Sequence, residues 1–171
     1  MDLLRIRTAR LELVLGTPEL FRLDLEDRAA LGTELGARVP SSWPPPLMDD
    51  ATLLQFIELA SDPSGSGLAG FYWILIEGEE RVLVGNGGLI SGDHGGLVLG
   101  YSVLDEFQGR GIATEAVAAL ITFGFEDPGI DEILAYTYPS FVASRCVLTK
   151  SGFVPAGAGN EPGTIAYVRR R

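Results

Sequence analysis

The residues best suited to chemistry lie in one run, Leu104-Asp105-Glu106-Phe107-Gln108-Gly109-Arg110-Gly111-Ile112-Ala113-Thr114-Glu115. Gly109 and Gly111 let a backbone approach a ligand with no Cβ in the way. Beyond them Ala113, Val117, Leu120, Ile121 and Gly124 recur at helical spacing, which predicts a helix over about 111–125 with one apolar face. The start of a helix offers about four unpaired N–H groups and a partial positive charge. Glycines leading into such a start make a nest for a phosphate or pyrophosphate. Arg110 adds the one full positive charge in the run. A tight turn into a packed helix would use the same glycines. A P-loop is excluded because no Gly-Lys-Ser/Thr occurs. A dinucleotide fingerprint fits poorly: the third glycine is missing, and Asp131 and Glu132 precede the next strand instead of ending it.

The elements that must position this run follow from periodicity and punctuation. Leu11-Glu12-Leu13-Val14-Leu15 alternates as a half-buried strand does. Thr17 is a candidate N-cap with Pro18 at the first helical position. Ser41-Ser42-Trp43-Pro44-Pro45-Pro46 reads as a stiff connector, since proline fixes φ and lacks a donor. Asp50 caps a predicted helix over 51–60 with Leu53, Leu54, Ile57 and Ala60 on one face, and 62–70 reads as a flexible loop. Strands over 71–77 and 81–89 flank Gly78-Glu79-Glu80 as a hairpin, and a second turn over 91–96 leads into a strand at 97–103. A strand at 133–138, a helix at 142–150 and short strands at Val154 and 165–168 complete the order. Strands that begin antiparallel and then alternate with helices imply an α+β (mixed α/β) protein, read as one domain over 1–171.

Composition narrows the function. The chain has 171 residues, enough to bury a real core without a disulfide or metal staple. Its formal net charge of −10 argues against a nucleic-acid or anionic-membrane binder, and Arg169-Arg170-Arg171 reads as a solvated tail. The single cysteine, Cys146, excludes a disulfide framework and a multi-cysteine zinc site. The single histidine, His94, disfavours a histidine-based metal site or a Ser-His-Asp triad, so no metal is expected. No long apolar run and no signal-like N-terminus occur, so a cytoplasmic protein is expected.

Gln108-Gly109-Arg110-Gly111-Ile112-Ala113 resembles the acetyl-CoA signature of the GNAT acetyltransferase superfamily, Gln/Arg-x-x-Gly-x-Gly/Ala. The wider context is similar to the subgroup that includes the ribosomal-protein N-acetyltransferases (Rim type). Its marks are Thr8-Ala9-Arg10-Leu11-Glu12-Leu13 at the start, Gly100-Tyr101-Ser102-Val103 before the run and Ala113-Thr114-Glu115-Ala116 after it. Ser144, Val147, Leu148, Lys150, Gly152 and Phe153 extend it further on. The resemblance implies a central, mostly antiparallel sheet flanked by helices and splayed between the fourth and fifth strands, at 97–103 and 133–138. It implies acetyl-CoA as co-substrate, its pantetheine arm paired with the backbone of about Val103, Leu104 and Asp105. The pyrophosphate would lie on the N–H groups of Gly109, Arg110, Gly111, Ile112 and Ala113, with Gln108 in the same signature.

In that family a primary amine attacks the thioester directly, so a neutral amine, a polarised carbonyl and a proton for the departing thiolate are needed. Ser144 matches a serine near the coenzyme A sulfur and is the candidate proton donor; capping its own helix turn is the plainer reading. Three expected positions differ: Val98 stands where many relatives carry glutamate, Phe141 where asparagine is usual, and Leu148 where other branches carry a tyrosine acid. Among other candidates, His94 and Asp93 fall at a hairpin tip. Glu115 suits a first-turn partner of the helix dipole, Tyr138 core packing, and Cys146 a small core residue. Trp43 and Met48, beside the proline run, are the candidate walls of an acceptor pocket, with the 61–70 loop as its cover. An acidic protein suits a cationic acceptor, such as a protein N-terminus, polyamine or aminoglycoside. A non-catalytic acyl-CoA-binding or sensing module on the same scaffold and an unrelated nucleotide binder stay open, and the family is often homodimeric.

Overall fold

The computed structural model describes residues 2–64 and 67–171. The N-terminal strands β1 (Arg5–Arg7) and β2 (Leu11–Leu15) pair antiparallel, and three helices follow: α1 (Pro18–Glu26), α2 (Arg28–Leu35) and α3 (Asp50–Ser61). Each of these helices starts on a side-chain cap, from Thr17, Asp27 and Asp49 respectively. The cap of α3 is thus Asp49, one residue ahead of the expected Asp50. Leu53 faces inward, whereas Leu54 turns to solvent, so the apolar stripe of α3 is narrower than its spacing suggests.

The hairpin of β3 (Ala69–Glu77) and β4 (Glu80–Ser91) turns at Gly78, whose φ of +62° calls for glycine. Next come β5 (Leu97–Val103), a 3₁₀ turn at Asp105–Phe107, α4 (Ile112–Gly124), β6 (Glu132–Thr137), α5 (Val142–Lys150), β7 (Val154–Ala158) and β8 (Ile165–Arg170). Among the described residues eight strands form one sheet in the order β1-β2-β3-β4-β5-β6-β8-β7. Every pairing is antiparallel except β5 with β6. The extra strand β1 makes the splayed pair the fifth and sixth strands of the chain.

Two apolar cores hold the layers. On one face Ile112, Ala116, Val117 and Leu120 of α4 pack on Leu11, Trp73, Leu99 and Ile133. A Cβ on Gly124 would meet Leu89, Leu97 and Ile133 side chains at 2.9–3.3 Å, so the glycine sets how closely α4 lies on the sheet. On the other face α1, α2 and α3 bring Leu20, Phe21, Leu31 and Leu53 onto Tyr72, Ile74 and Leu83. Fully burying side chains of this size contributes roughly 1.5–3 kcal/mol each.

The terminal arginines are not a loose tail. Arg169 and Arg170 belong to β8, opposite Ile133 and Glu132. Arg171 donates to the carbonyls of Phe125, Asp127 and Ile130 at 2.7–2.9 Å, tying down the loop between α4 and β6. Of the loop expected over 62–70, Gly65 and Ser66 lie outside the described residues, and Ala69 and Gly70 already belong to β3.

Candidate active site

β5 and β6 stay in register only through Leu97↔Ile133, Val98↔Leu134 and Leu99↔Ala135, although both strands run on. Past Leu99 they separate, and the gap opens into a cleft of about 740 Å³. Leu104 N–H donates to Val84 O at 2.8 Å. In an antiparallel ladder that phase gives the even positions of β5 to β4 and leaves the N–H groups of Tyr101 and Val103 and the Tyr101 C=O to the gap, the Val103 C=O being taken by Gln108 Nε2. The free edge therefore lies at 101–103. Leu104 and Asp105 lie outside this edge, because the Leu104 amide is already bonded, its side chain is buried, and Asp105 starts the 3₁₀ turn.

The loop that follows is held open for backbone contact. Gln108 Nε2 donates to Val103 O (3.1 Å) and to Asp105 Oδ1 (3.2 Å), closing the turn from within. Gly109 and Gly111 have φ of +74° and +77°, a region costly for other L residues. A Cβ on Gly109 would meet nothing within 4 Å, so its glycine leaves open space over the cleft. No side chain caps α4, and its first amides at Gly111, Ile112, Ala113 and Thr114 border the cleft. The same holds for α5, whose N-cap position is Phe141 and whose first turn carries Ser144. α1, α2 and α3 are capped by their own side chains; α4 and α5 are not.

Charge around the loop departs from the expectation. The Arg110 side chain turns away to Glu77 (2.5 Å) and over the Phe107 ring, and it does not line the cleft. Arg10 comes in from the N-terminal hairpin: its Nη1 donates to Arg110 O (2.9 Å), and its Nη2 lies 3.3 Å from where a Gly111 Cβ would sit. Its Nε donates to Glu115 Oε2 at 2.8 Å. Glu115 also accepts from Thr8 Oγ1 and Arg10 N, so it is a tie between hairpin and helix and not a base. Sequence reasoning noted Arg10 within a motif without assigning it a task; the link to Glu115 spans 105 positions and leaves no local signal.

Ser144 lines the cleft, and its Oγ lies 3.5 Å from the Tyr101 hydroxyl, at the long limit of a hydrogen bond. Tyr101 stacks on Trp73, and burial pushes its phenol above 10, so it stays protonated and able to donate. Tyr101 is a site residue that the sequence reading used only as a family mark. Val98, Phe141 and Leu148 all line the cleft, as does Tyr138, which packs edge-on against Phe141. Cys146 is exposed on this wall, not in the core. His94 sits at the hairpin tip, 3.7 Å from Glu132 and away from the cleft.

Of the two expected acceptor walls, Met48 lines the cleft and Trp43 does not. Trp43 is 4% exposed, with its Nε1 donating to the buried Asp24 at 2.8 Å. Its indole is part of the core that anchors the proline connector, while Pro46, Leu47 and Met48 carry on to the cleft. Ser102 Oγ donates to Pro46 O at 2.5 Å and pins that connector to β5.

A family model described as an acetyltransferase (GNAT) domain matches residues 19–154, most of the chain. The chain belongs to the GNAT acetyltransferase family. It is an acyltransferase, and the splayed sheet expected from the resemblance is the one observed. No curated protein matches the sequence. Among solved structures it is similar to an acetyltransferase from Agrobacterium tumefaciens, with 21% identity and TM-score 0.66 over 100% of this chain and 96% of that one. A putative ribosomal-protein-serine acetyltransferase from Vibrio cholerae is 22% identical with TM-score 0.65, covering 98% of each chain. The microcin C7 self-immunity acetyltransferase, solved with acetyl-CoA and AMP, is 17% identical with TM-score 0.64, covering 96% of this chain and 94% of that one. This GNAT chain shares their fold from end to end. Among its described residues no helix is long and apolar enough to cross a membrane.

Proposed function

We propose that this chain transfers the acetyl group of acetyl-CoA to a primary amine by direct attack within a ternary complex. The observation that carries the reading is the uncapped N-terminus of α4, which opens through Gly109 and Gly111 onto the gap between β5 and β6. The amides of Gly109 to Ala113 suit a pyrophosphate, with Arg10 as the nearby cation in place of Arg110. The free strand edge at Tyr101 and Val103 suits the amides of a pantetheine arm.

The amine lone pair forms the new N–C bond as the C–S bond breaks; the sulfur leaves as a thiolate and takes up a proton, and the nitrogen loses one. On this chain, an N–H of the freed β5 edge is placed to polarise the thioester carbonyl. Ser144, backed by the protonated Tyr101 and the uncapped start of α5, supplies a proton or a hydrogen bond to the thiolate.

The test is calorimetric titration with acetyl-CoA, with NAD and ATP as controls, followed by thiol release with a set of amines. Micromolar binding of acetyl-CoA alone and amine-dependent thiol release support the reading. Absence of acetyl-CoA binding overturns it.

A further inference from the structure

The cleft has two chemically unlike halves. One is the α4 and α5 side described above; the other is walled by Leu47, Met48, Phe56, Leu68, Ile90 and Val98. Leu47 is 81% exposed with φ of +70°, an apolar side chain held at the rim by backbone that costs energy for a non-glycine residue. The polar groups on this half are Thr52, Tyr72, Asn86 and Ser102. Three of them already donate within the protein: Thr52 to Asp49 at 2.7 Å, Tyr72 to Asp24 at 3.0 Å, and Ser102 to Pro46. Among the described residues no hydrogen bond engages the side-chain amide of Asn86.

No aspartate, glutamate, arginine or histidine occurs in the described lining of the whole cleft, and Lys150 is its one charged residue. Asp49 and Glu106, neighbours in sequence of Met48 and Phe107, lie outside the lining and already accept from Thr52 and Ser42. Asp24, buried behind Tyr72, already accepts from Tyr72 and Trp43 and lies outside the lining. A second ammonium group entering this half would lose its water and find no counter-charge.

We infer that the acceptor is a primary monoamine with an apolar body, engaged by Asn86 through its one polar end. Polyamines and aminoglycosides are excluded by the same lining. The inference rests on the acetyl-transfer reading and sharpens the expectation of a cationic acceptor.

The experiment compares 4-phenylbutylamine with spermidine and kanamycin, using thiol release from acetyl-CoA and calorimetric titration of each amine into the coenzyme A complex. The expected result is a kcat/KM for phenylbutylamine at least about tenfold above either polycation, with binding in the same order. Spermidine or kanamycin equal to or better than phenylbutylamine overturns the inference, as does failure of phenylbutylamine to bind the complex. A prior titration with acetyl-CoA separates the two failures, since loss of that binding strikes the acetyl-transfer reading instead. Leu47→Glu places a carboxylate at the rim without burying it, and should narrow the ratio between phenylbutylamine and spermidine by several-fold. An unchanged ratio in a folded Leu47→Glu protein also counts against the inference.

Discussion

Arg10 Nε donates to Glu115 Oε2 at 2.8 Å, joining the turn between the first two strands to the opening turn of α4. With Thr8 and the Arg10 amide on the same carboxylate, the helix start that borders the cleft is fixed from outside the cleft. Glu115→Gln should cost about 1–2 kcal/mol, read as a lower Tm at pH 7. Partial burial pushes the Glu115 carboxyl up, but the bonds from Thr8 and Arg10 together outweigh it and hold it below the ordinary 4.5. The folded state then binds fewer protons than the unfolded one, so the contribution is full above about pH 4.5 and is lost as pH falls through the folded value. The difference in stability between wild type and variant should therefore shrink in acid; a constant difference down to about pH 3 would rule the ion pair out as its source.

Gly111 borders the cleft at φ +77°, where a side chain would be strained. A Gly111→Val protein must hold a β-branched residue at φ +77° with Arg10 Nη2 at 3.3 Å from its Cβ. We expect a stability loss of about 1–2 kcal/mol and a loss of acetyl-CoA affinity of at least tenfold. Calorimetry on the folded fraction, with Tm as control, separates the two effects. Retained affinity would move the phosphates off this loop.

Ser144→Ala should lower kcat by about tenfold or more while leaving acetyl-CoA affinity within about threefold, if the hydroxyl serves the leaving thiolate. Tyr101→Phe should produce a smaller fall in the same direction, because Tyr101 acts through Ser144. Equal turnover by wild type and Ser144→Ala would remove the serine from proton delivery.

Trp43 bears on stability and not on the amine. Trp43→Phe leaves the buried Asp24 without one of its donors and should cost about 1–3 kcal/mol, with KM for the amine within about threefold of wild type. A large rise in KM without a change in Tm would return Trp43 to the acceptor site.

Periodicity alone recovered the hairpin of β3 and β4, the central helix α4, and α5 over the residues it occupies. Those elements are specified locally, by apolar spacing and glycine turns. β1 escaped because three residues, Arg5–Arg7, are too few to show an alternation, and the bond from Arg5 to Glu12 at 2.6 Å leaves no pattern within them. The loop glycines and Ser144 were singled out through their motif, and they line the cleft. Trp43 and Arg110 misled for a shared reason, since an indole beside prolines and an arginine between glycines look available until partners elsewhere, Asp24 and Glu77, are seen to hold them. Cys146 carries no local sign of which face of α5 it occupies.

The missing caps on α4 and α5 bear on how this enzyme can change. A good N-cap is worth about 1 kcal/mol, and at Phe141 a single change to aspartate would supply one for α5 while setting a carboxylate where a thiolate must leave. Selection for heat resistance alone would reward that change, filling a helix end that now borders the cleft. A laboratory lineage evolved for robustness without its substrates would thus be expected to drift toward sturdier, slower proteins. Selecting in the presence of acetyl-CoA would let the ligand supply the stabilisation and keep those helix ends open.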